Sequence, residues 1–232
     1  MNIKKLVINL FHNYGYEISK FGQIDPLRSL IYKKHHDGFF FVQIGANDGK
    51  RFDPIYEIVT KLKLNGIALE PVKEYFNLLK NNYKFLPNVK LINKAINKSN
   101  GKVSIYRVKT NNLLPDWVNG IASFNSEHYK KSGVDKEDII EEIVDCITFD
   151  KLIDDNNICH IDLLQIDTEG FDFEIIKMID FAKIKPSIIH FEHGLPDNVM
   201  SLDQFKQCAC MLIDNGYSII MKKYDCIAYI PD

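Results

Sequence analysis

The chain has 232 residues, 46% of them hydrophobic and 26% charged, which suits one large globular domain over residues 1–232 and excludes global disorder. A formal net charge of −2 argues against a general nucleic-acid binder, which carries a basic excess. Five scattered cysteines, with Cys208-x-Cys210 answered by no second pair, fit neither a disulfide framework nor a usual zinc site and read as reduced thiols of a cytoplasmic protein.

At the N-terminus Ile3, Leu6, Val7, Leu10, Phe11 and Tyr14 recur at helical spacing. Residues 1–38 therefore read as a helical extension packed on its own domain or on a second copy in a homodimer. Asn9 and His12 interrupt the apolar run, and no small-residue cleavage site follows, so it is not read as a signal sequence. Lys4 and Lys5 beside the stripe permit weak membrane-surface contact, but no stretch reaches transmembrane length and no stable membrane insertion is expected.

Phe39–Ile44 has the length and composition of a buried strand, and the loop Gly45-Ala46-Asn47-Asp48-Gly49 ends it. A helix follows around Pro54–Lys63, with Asp53 as its N-cap and Pro54 at its first position. A second strand, Ile67–Leu69, stops at Glu70-Pro71. The next helix, Lys73–Tyr83, turns Tyr75, Phe76, Leu79 and Tyr83 inward. "NVKLINKAI" reads as a third strand, and "NGKVSIYRV" as a hairpin turn at Asn100-Gly101 leading into another. Residues 109–140 lack clear periodicity, the mark of a functional cover or a partly mobile segment inside a compact domain. "EEIVDCITF" is then a strand and "FDKLIDDN" a short helix. "HIDLLQIDTEG" feeds a helix over Phe173–Ile179, "PSIIHFEH" is a strand, and "LDQFKQCACMLIDNG" a helix. "YSIIMKK" and "DCIAYI" close the chain as a hairpin. Strands alternating with helices imply an α/β fold whose mainly parallel sheet is covered on both faces, with the hairpin as an antiparallel edge.

In such sheets ligands sit at the carboxyl ends of the strands. Glu70 lies 21 residues past Gly49, where an acid commonly takes ribose hydroxyls, so a nucleoside is indicated. A dinucleotide wants a glycine where this loop has Asn47, and Asp48 would repel a pyrophosphate. S-adenosylmethionine carries no phosphate but does carry a sulfonium and an ammonium, which suit an acidic loop. The same glycines would also serve a plain strand-to-helix turn.

"FVQIGANDG", "GIALEPVKEYFNLLKNNY", "NKAI", "LLQIDTEGFDFEIIK" and "IIHFEH", in this order, resemble the FkbM family of S-adenosylmethionine-dependent methyltransferases from Phe39 to the end of the chain. The resemblance implies a class I methyltransferase-like (Rossmann-like) fold with a seven-stranded sheet, and O-methylation of a sugar, glycan or related metabolite. It also implies a cofactor site at Gly45, Ala46, Asn47, Asp48 and Gly49, with Glu70 on the ribose and Pro71, Val72, Asn93 and Ala95 near the adenine. Where the family has an acid on the first strand, this sequence has Gln43.

Methyl transfer to an alcohol requires alignment and a proton acceptor. Asp167-Thr168-Glu169-Gly170 and Glu192-His193-Gly194 end adjacent strands and reach the same rim. His193 is the expected base, by its intrinsic pKa, with Glu192 or Asp167 orienting it or taking the proton. A divalent cation on Asp167, Glu169, Glu192 and His193 is the alternative, fixed by no local ligand motif. Ser123, Phe124, His128, Tyr129 and Trp117 suit either a sugar or the plugging of a sheet edge. Two readings outside this class remain: a non-catalytic nucleoside-binding or interaction module on the same fold, and an NAD-linked oxidoreductase, which lacks a recognisable hydride-transfer set.

Overall fold

The computed structural model describes residues 25–109, 118–128, 130 and 134–232. The expected helix over the first 24 residues, Trp117 and Tyr129 lie outside the described residues.

Helix α1 (Pro26–Lys34) begins where Asp25 accepts the Leu27 N–H and Pro26 supplies a pre-set φ. Strand β1 (Phe40–Ile44) follows and then α2 (Tyr56–Leu62), two residues later than its proline suggests. Asp53 still caps it, its Oδ1 accepting the N–H groups of Ile55 and Tyr56. Next come β2 (Asn65–Leu69), α3 (Lys73–Tyr83) and β3 (Val89–Ile92). After the excursion described below, α4 (Phe149–Asp155), β8 (Leu163–Ile166), α5 (Asp172–Lys177), β9 (Ile188–Glu192) and α6 (Leu202–Asp214) lead to the hairpin β10 (Ser218–Met221) and β11 (Asp225–Tyr229).

The main sheet has seven strands in the order β3-β2-β1-β8-β9-β11-β10. β1 is central, parallel to β2 on one side and β8 on the other, and β11 alone runs against the rest. Period-two alternation divides the core between two faces. Phe39, Phe41, Leu163 and Ile188 pack under α1, α2 and α3, with Ile31, Val59 and Leu79 among their neighbours. Val42, Ile44, Leu164, Ile166 and Phe191 pack under α4, α5 and α6, against Leu152, Ile176 and Leu212.

The expected third strand is in fact two. β3 stays in the main sheet, while β4 (Ala95–Ile96) joins a second sheet of order β4-β7-β5-β6, with β5 Gly101–Val108, β6 Ala122–Ser123 and β7 Ile139–Ile147. The Asn100-Gly101 turn therefore makes no hairpin between neighbours, because β7 lies between β4 and β5. Tyr75 of α3 packs with Ala95, Ile105 and Val144 of this sheet. Part of the segment expected to be irregular is thus an ordered sheet edge beside the carboxyl ends of β1, β2 and β8. No helix among the described residues is long and apolar enough to cross a membrane.

Candidate active site

The loop after β1 turns back on itself at once: the N–H groups of Gly45 and Ala46 both donate to Leu69 O, at 3.0 and 2.9 Å. Gly45 sits at φ +81°, and a Cβ there would lie 1.7 Å from Asp167 O. Its glycine lets β1 and β8 end side by side. Gly49, at φ +67°, packs into α3, where a Cβ would lie 2.3 Å from Leu79 Cδ1. It is a packing glycine and does not border the cavity beside Glu70.

Asp48 departs from expectation. Its carboxylate accepts the N–H groups of Lys50 and Arg51 and the Arg51 Nε at 2.6 Å, and its side chain is buried. It closes its own turn and offers nothing to a ligand. Glu70 does the bracing and faces the cavity. Oε2 accepts the Asn47 N–H and Oε1 the Val72 N–H, both at 2.8 Å. Burial pushes its pKa up to about 7 against the pull of those two bonds. Asn93 is also a brace, donating to Glu70 O and Pro71 O at 2.8 Å each. Its side chain spans the end of β2 instead of meeting an adenine.

Glu70, Pro71 and Ala95 border a cavity of about 640 Å³, part of it open to solvent, whose other walls include Tyr75, Ile96 and Phe124. The cavity runs into a wider cleft along the ends of β8 and β9, and Gly45, Asn47, Gly120, Asp167 and Glu169 border both. Ala46 lies on the cleft side. The first space is mainly apolar; the second is lined by Asp53, Asp167, Glu169, Glu192, Asp197 and Asp225.

Burial and neighbouring negative charge raise two carboxylates of this cleft, Asp167 and Glu192. Asp167 opens onto the cleft, yet the protein packed around it, then Glu169, Asp172, Glu192 and Asp225, hold its pKa well above the usual range. Burial first, then Glu169, Asp172 and Asp225, pushes Glu192 up to about 8. Asp172, unnoticed in the sequence, ties the two strand ends together. Its Oδ2 accepts the Thr168 N–H and hydroxyl, and its Oδ1 accepts the Glu192 N–H at 3.0 Å.

His193 overturns the expected base. Its side chain is fully buried; Nε2–H donates to Lys222 O at 3.2 Å, Nδ1 accepts the Leu195 N–H at 3.1 Å, and the ring packs 5.1 Å from that of Phe205. Nδ1 serves the β9–α6 connection and Nε2 the β10–β11 turn, and His193 does not line the cleft. Asp167 and Glu192 do meet there. The histidine at the rim is His128, its Nε2 3.2 Å from Glu169 Oε2. With Ser123 donating to Glu169 O at 2.7 Å and Asn47 to Gly120 O at 2.9 Å, it fixes the second sheet over the junction. Glu169 holds φ +53° to make these contacts, a strained conformation of the kind that collects at functional sites. Among the described residues no group of three His, Cys, Asp or Glu side chains is arranged to hold a metal ion.

A family model described as "Methyltransferase FkbM domain" matches residues 43–219. No curated protein matches the chain in sequence. A crystal structure of methyltransferase FkbM from Methylobacillus flagellatus superposes with a TM-score of 0.52 at 15% identity, covering 84% of this chain and 44% of that one. This chain thus spans under half of that relative's length. A precorrin-6y C5,15-methyltransferase from Geobacter metallireducens gives 0.43 at 14% identity, over 91% of this chain and 94% of that one. The human methyltransferase 10 domain containing protein gives 0.45 at 11%, over 99% and 96%. The fold is that of the class I methyltransferases.

Proposed function

We propose, for a chain that belongs to the FkbM methyltransferase family, transfer of a methyl group from S-adenosylmethionine to a hydroxyl of a sugar, glycan or related small metabolite. One observation carries the reading: a buried carboxylate, Glu70, walls an apolar cavity that opens directly into a cleft of carboxylates. The apolar walls Pro71, Tyr75, Ile96 and Phe124 suit a flat base, and Glu70 retains lone pairs for ribose hydroxyls. Asp167 and Glu169 at the junction suit a sulfonium and an ammonium, whereas a pyrophosphate would meet repulsion at the same point.

When bound, S-adenosylmethionine supplies an activated methyl group. The chain supplies the rest. The group that accepts the hydroxyl proton must stand where the two spaces meet, and among the described residues Asp167 and Glu169 are the carboxylates bordering both. Glu169 is engaged by His128. Asp167 is open to the cleft, and its raised pKa makes it an effective base once ionised. It is the proton acceptor in this reading, with Glu192 beside it and Glu169 holding the second sheet in place.

Calorimetric titration with S-adenosylmethionine, S-adenosylhomocysteine and NAD tests the cofactor. Binding of the first two and not the third is expected; NAD alone binding overturns the reading. Radiolabelled methyl transfer to a panel of sugars then separates an enzyme from a non-catalytic module on the same fold.

A further inference from the structure

Three polar side chains interrupt the apolar strands at one register. Gln43 of β1 pairs with Gln165 of β8, and Gln165 with His190 of β9. All three are buried, with 3%, 2% and 3% of their surface exposed. Such a row in the middle of a sheet is costly unless its polar atoms are satisfied, and two of them are not: Gln43 Oε1 and His190 Nε2 are buried without a partner.

The neighbours fix which atoms are presented. Asp53 Oδ2 accepts the Gln43 Nε2–H at 2.9 Å, so the Gln43 oxygen is left. Gln165 Oε1 accepts the His190 Nδ1–H at 2.6 Å, so His190 Nε2 is left as a lone-pair acceptor. Burial, with Lys222 nearby, holds the His190 pKa down at about 3, and the ring stays neutral. A third orphan, Glu192 Oε2, stands beside them. Gln43 Oε1 and His190 Nε2 can only accept, and Glu192 Oε2 accepts once a cation draws its carboxyl into the ionised form. Gln43 and Gln165 line the carboxylate cleft, and His190 lines its continuation under Phe52 and Pro54.

We propose that this row, with Glu192, is the acceptor subsite and that it selects a polyhydroxylated acceptor carrying a protonated amine, an amino sugar in chemical class. The proposal rests on the methyl-transfer reading above. Gln43 and His190 stand two strand spacings apart, about 10 Å, the span of hydroxyls on a sugar with its substituents. The hydroxyls donate to Gln43 Oε1 and His190 Nε2, and the ammonium faces Glu192, Asp225 and Asp53. Lys222, 3.8 Å from Asp225, is the cation on that wall, and Arg51 at the rim is held by Asp48. Carboxylates therefore outnumber cations, and phosphate esters are disfavoured. At the cleft mouth Phe52, 76% exposed and held at φ +58°, presents a ring for the apolar sugar face or the ammonium. An ammonium held by carboxylates keeps its proton and has no lone pair, which leaves a hydroxyl as the atom methylated.

Saturation-transfer NMR on the full chain, saturated with S-adenosylhomocysteine, tests this with glucosamine, glucose and glucose 6-phosphate. Transfer to glucosamine should exceed that to glucose, with none to the phosphate. Glu192→Gln and His190→Phe should each weaken glucosamine about tenfold or more, while a calorimetric titration shows unchanged S-adenosylhomocysteine affinity and a melting curve shows a folded chain. If His190→Phe does not fold, Gln43→Leu takes its place. Equal transfer to glucose and glucosamine, no transfer to either, or binding of the phosphate overturns the proposal. So does Mn²⁺ binding to the cofactor-free chain that Glu192→Gln abolishes, which would assign the cluster to a metal. Failure to bind S-adenosylhomocysteine sinks the methyl-transfer reading instead, and is seen separately in the titration.

Discussion

Glu70 accepts the backbone N–H of Asn47 at 2.8 Å, so the acid that ends β2 also holds the loop that ends β1. Removing it should harm binding and stability together. Glu70→Ala strands two N–H groups and is expected to weaken S-adenosylhomocysteine by about 1–3 kcal/mol and to lower stability by a similar amount. Glu70→Gln, with one acceptor oxygen where two are used, should fall between. Calorimetry and a denaturant curve check this; a variant that binds and melts as the parent does removes Glu70 from both roles.

The raised carboxylates give a pH dependence of unusual sign. Glu70, Asp172 and Glu192 are held at about 7, about 6 and about 8 by burial. Each folded pKa lies above its unfolded value, so the folded chain binds more protons between them. The contribution is fully present below about pH 4 and is lost as pH rises towards about 8. Stability measured by urea unfolding should therefore fall from pH 5 to pH 8, and Glu192→Gln should flatten the upper part of that slope. A ligand cation favours the ionised forms. S-adenosylmethionine binding at pH 7 is thus expected to release protons, visible as an enthalpy that differs between phosphate and Tris buffers. An enthalpy independent of buffer would contradict the cluster's role.

His193→Ala is expected to act on stability and not on chemistry. It leaves Lys222 O and the Leu195 N–H without their partner and opens a gap against Phe205, a loss of about 2–4 kcal/mol. Turnover per folded molecule should stay near normal. A fall of two orders of magnitude in a folded variant would restore His193 as the base.

The strands were legible where burial dictates composition: "FFVQI" and "IIHFE" form β1 and β9 within a residue or two of their expected bounds, and "LLQI" forms β8 inside the longer stretch "HIDLLQIDTEG". "NVKLINKAI" was not, because both of its halves are apolar and alternate alike. The break between sheets lies at Asn93, whose amide is taken by carbonyls of the β2 end, a tertiary contact invisible to periodicity. Side-chain direction in loops was equally hidden. Asp48 looked available for a ligand, but the local turn and Arg51 claim it first. His193 follows Glu192 in sequence and faces the other way once β9 ends. The useful signal was the polar outlier in an apolar strand: Gln165 and His190 stand out in "LLQI" and "IIHFE".

Gly45 should tolerate no side chain. At φ +81° a Cβ meets the Asp167 carbonyl, backbone that cannot step aside without moving β8. Gly45→Ala is expected to cost about 2–4 kcal/mol from left-handed strain and overpacking together, and to displace Asp167 with it. A soluble Gly45→Ala chain that melts within about 2 °C of the parent, a shift below about 1 kcal/mol, would contradict the close approach of β1 and β8.

Asp167→Asn separates chemistry from binding. Asp167 and Glu169 both border the junction of the cavity and the cleft, but the Glu169 carboxylate is engaged by His128, which leaves Asp167 to take the proton. The amide keeps the shape and removes the basic oxygen. Turnover is expected to drop about 10²- to 10⁴-fold. S-adenosylhomocysteine affinity should fall far less than turnover, since its ribose and base rest on Glu70 and the apolar walls and Glu169 still faces its ammonium. In the parent, rate should rise with pH through an inflection above the ordinary carboxylate range, because the ionised form is the active one and burial, then neighbouring carboxylates, delay ionisation. Replacing those neighbours moves the inflection: Glu192→Gln removes one negative charge and should shift it to lower pH. His128→Asn frees Glu169 to compete for the proton and should lower turnover less than Asp167→Asn does. If Asp167→Asn keeps its turnover while His128→Asn loses it, the proton goes to the His128–Glu169 pair instead.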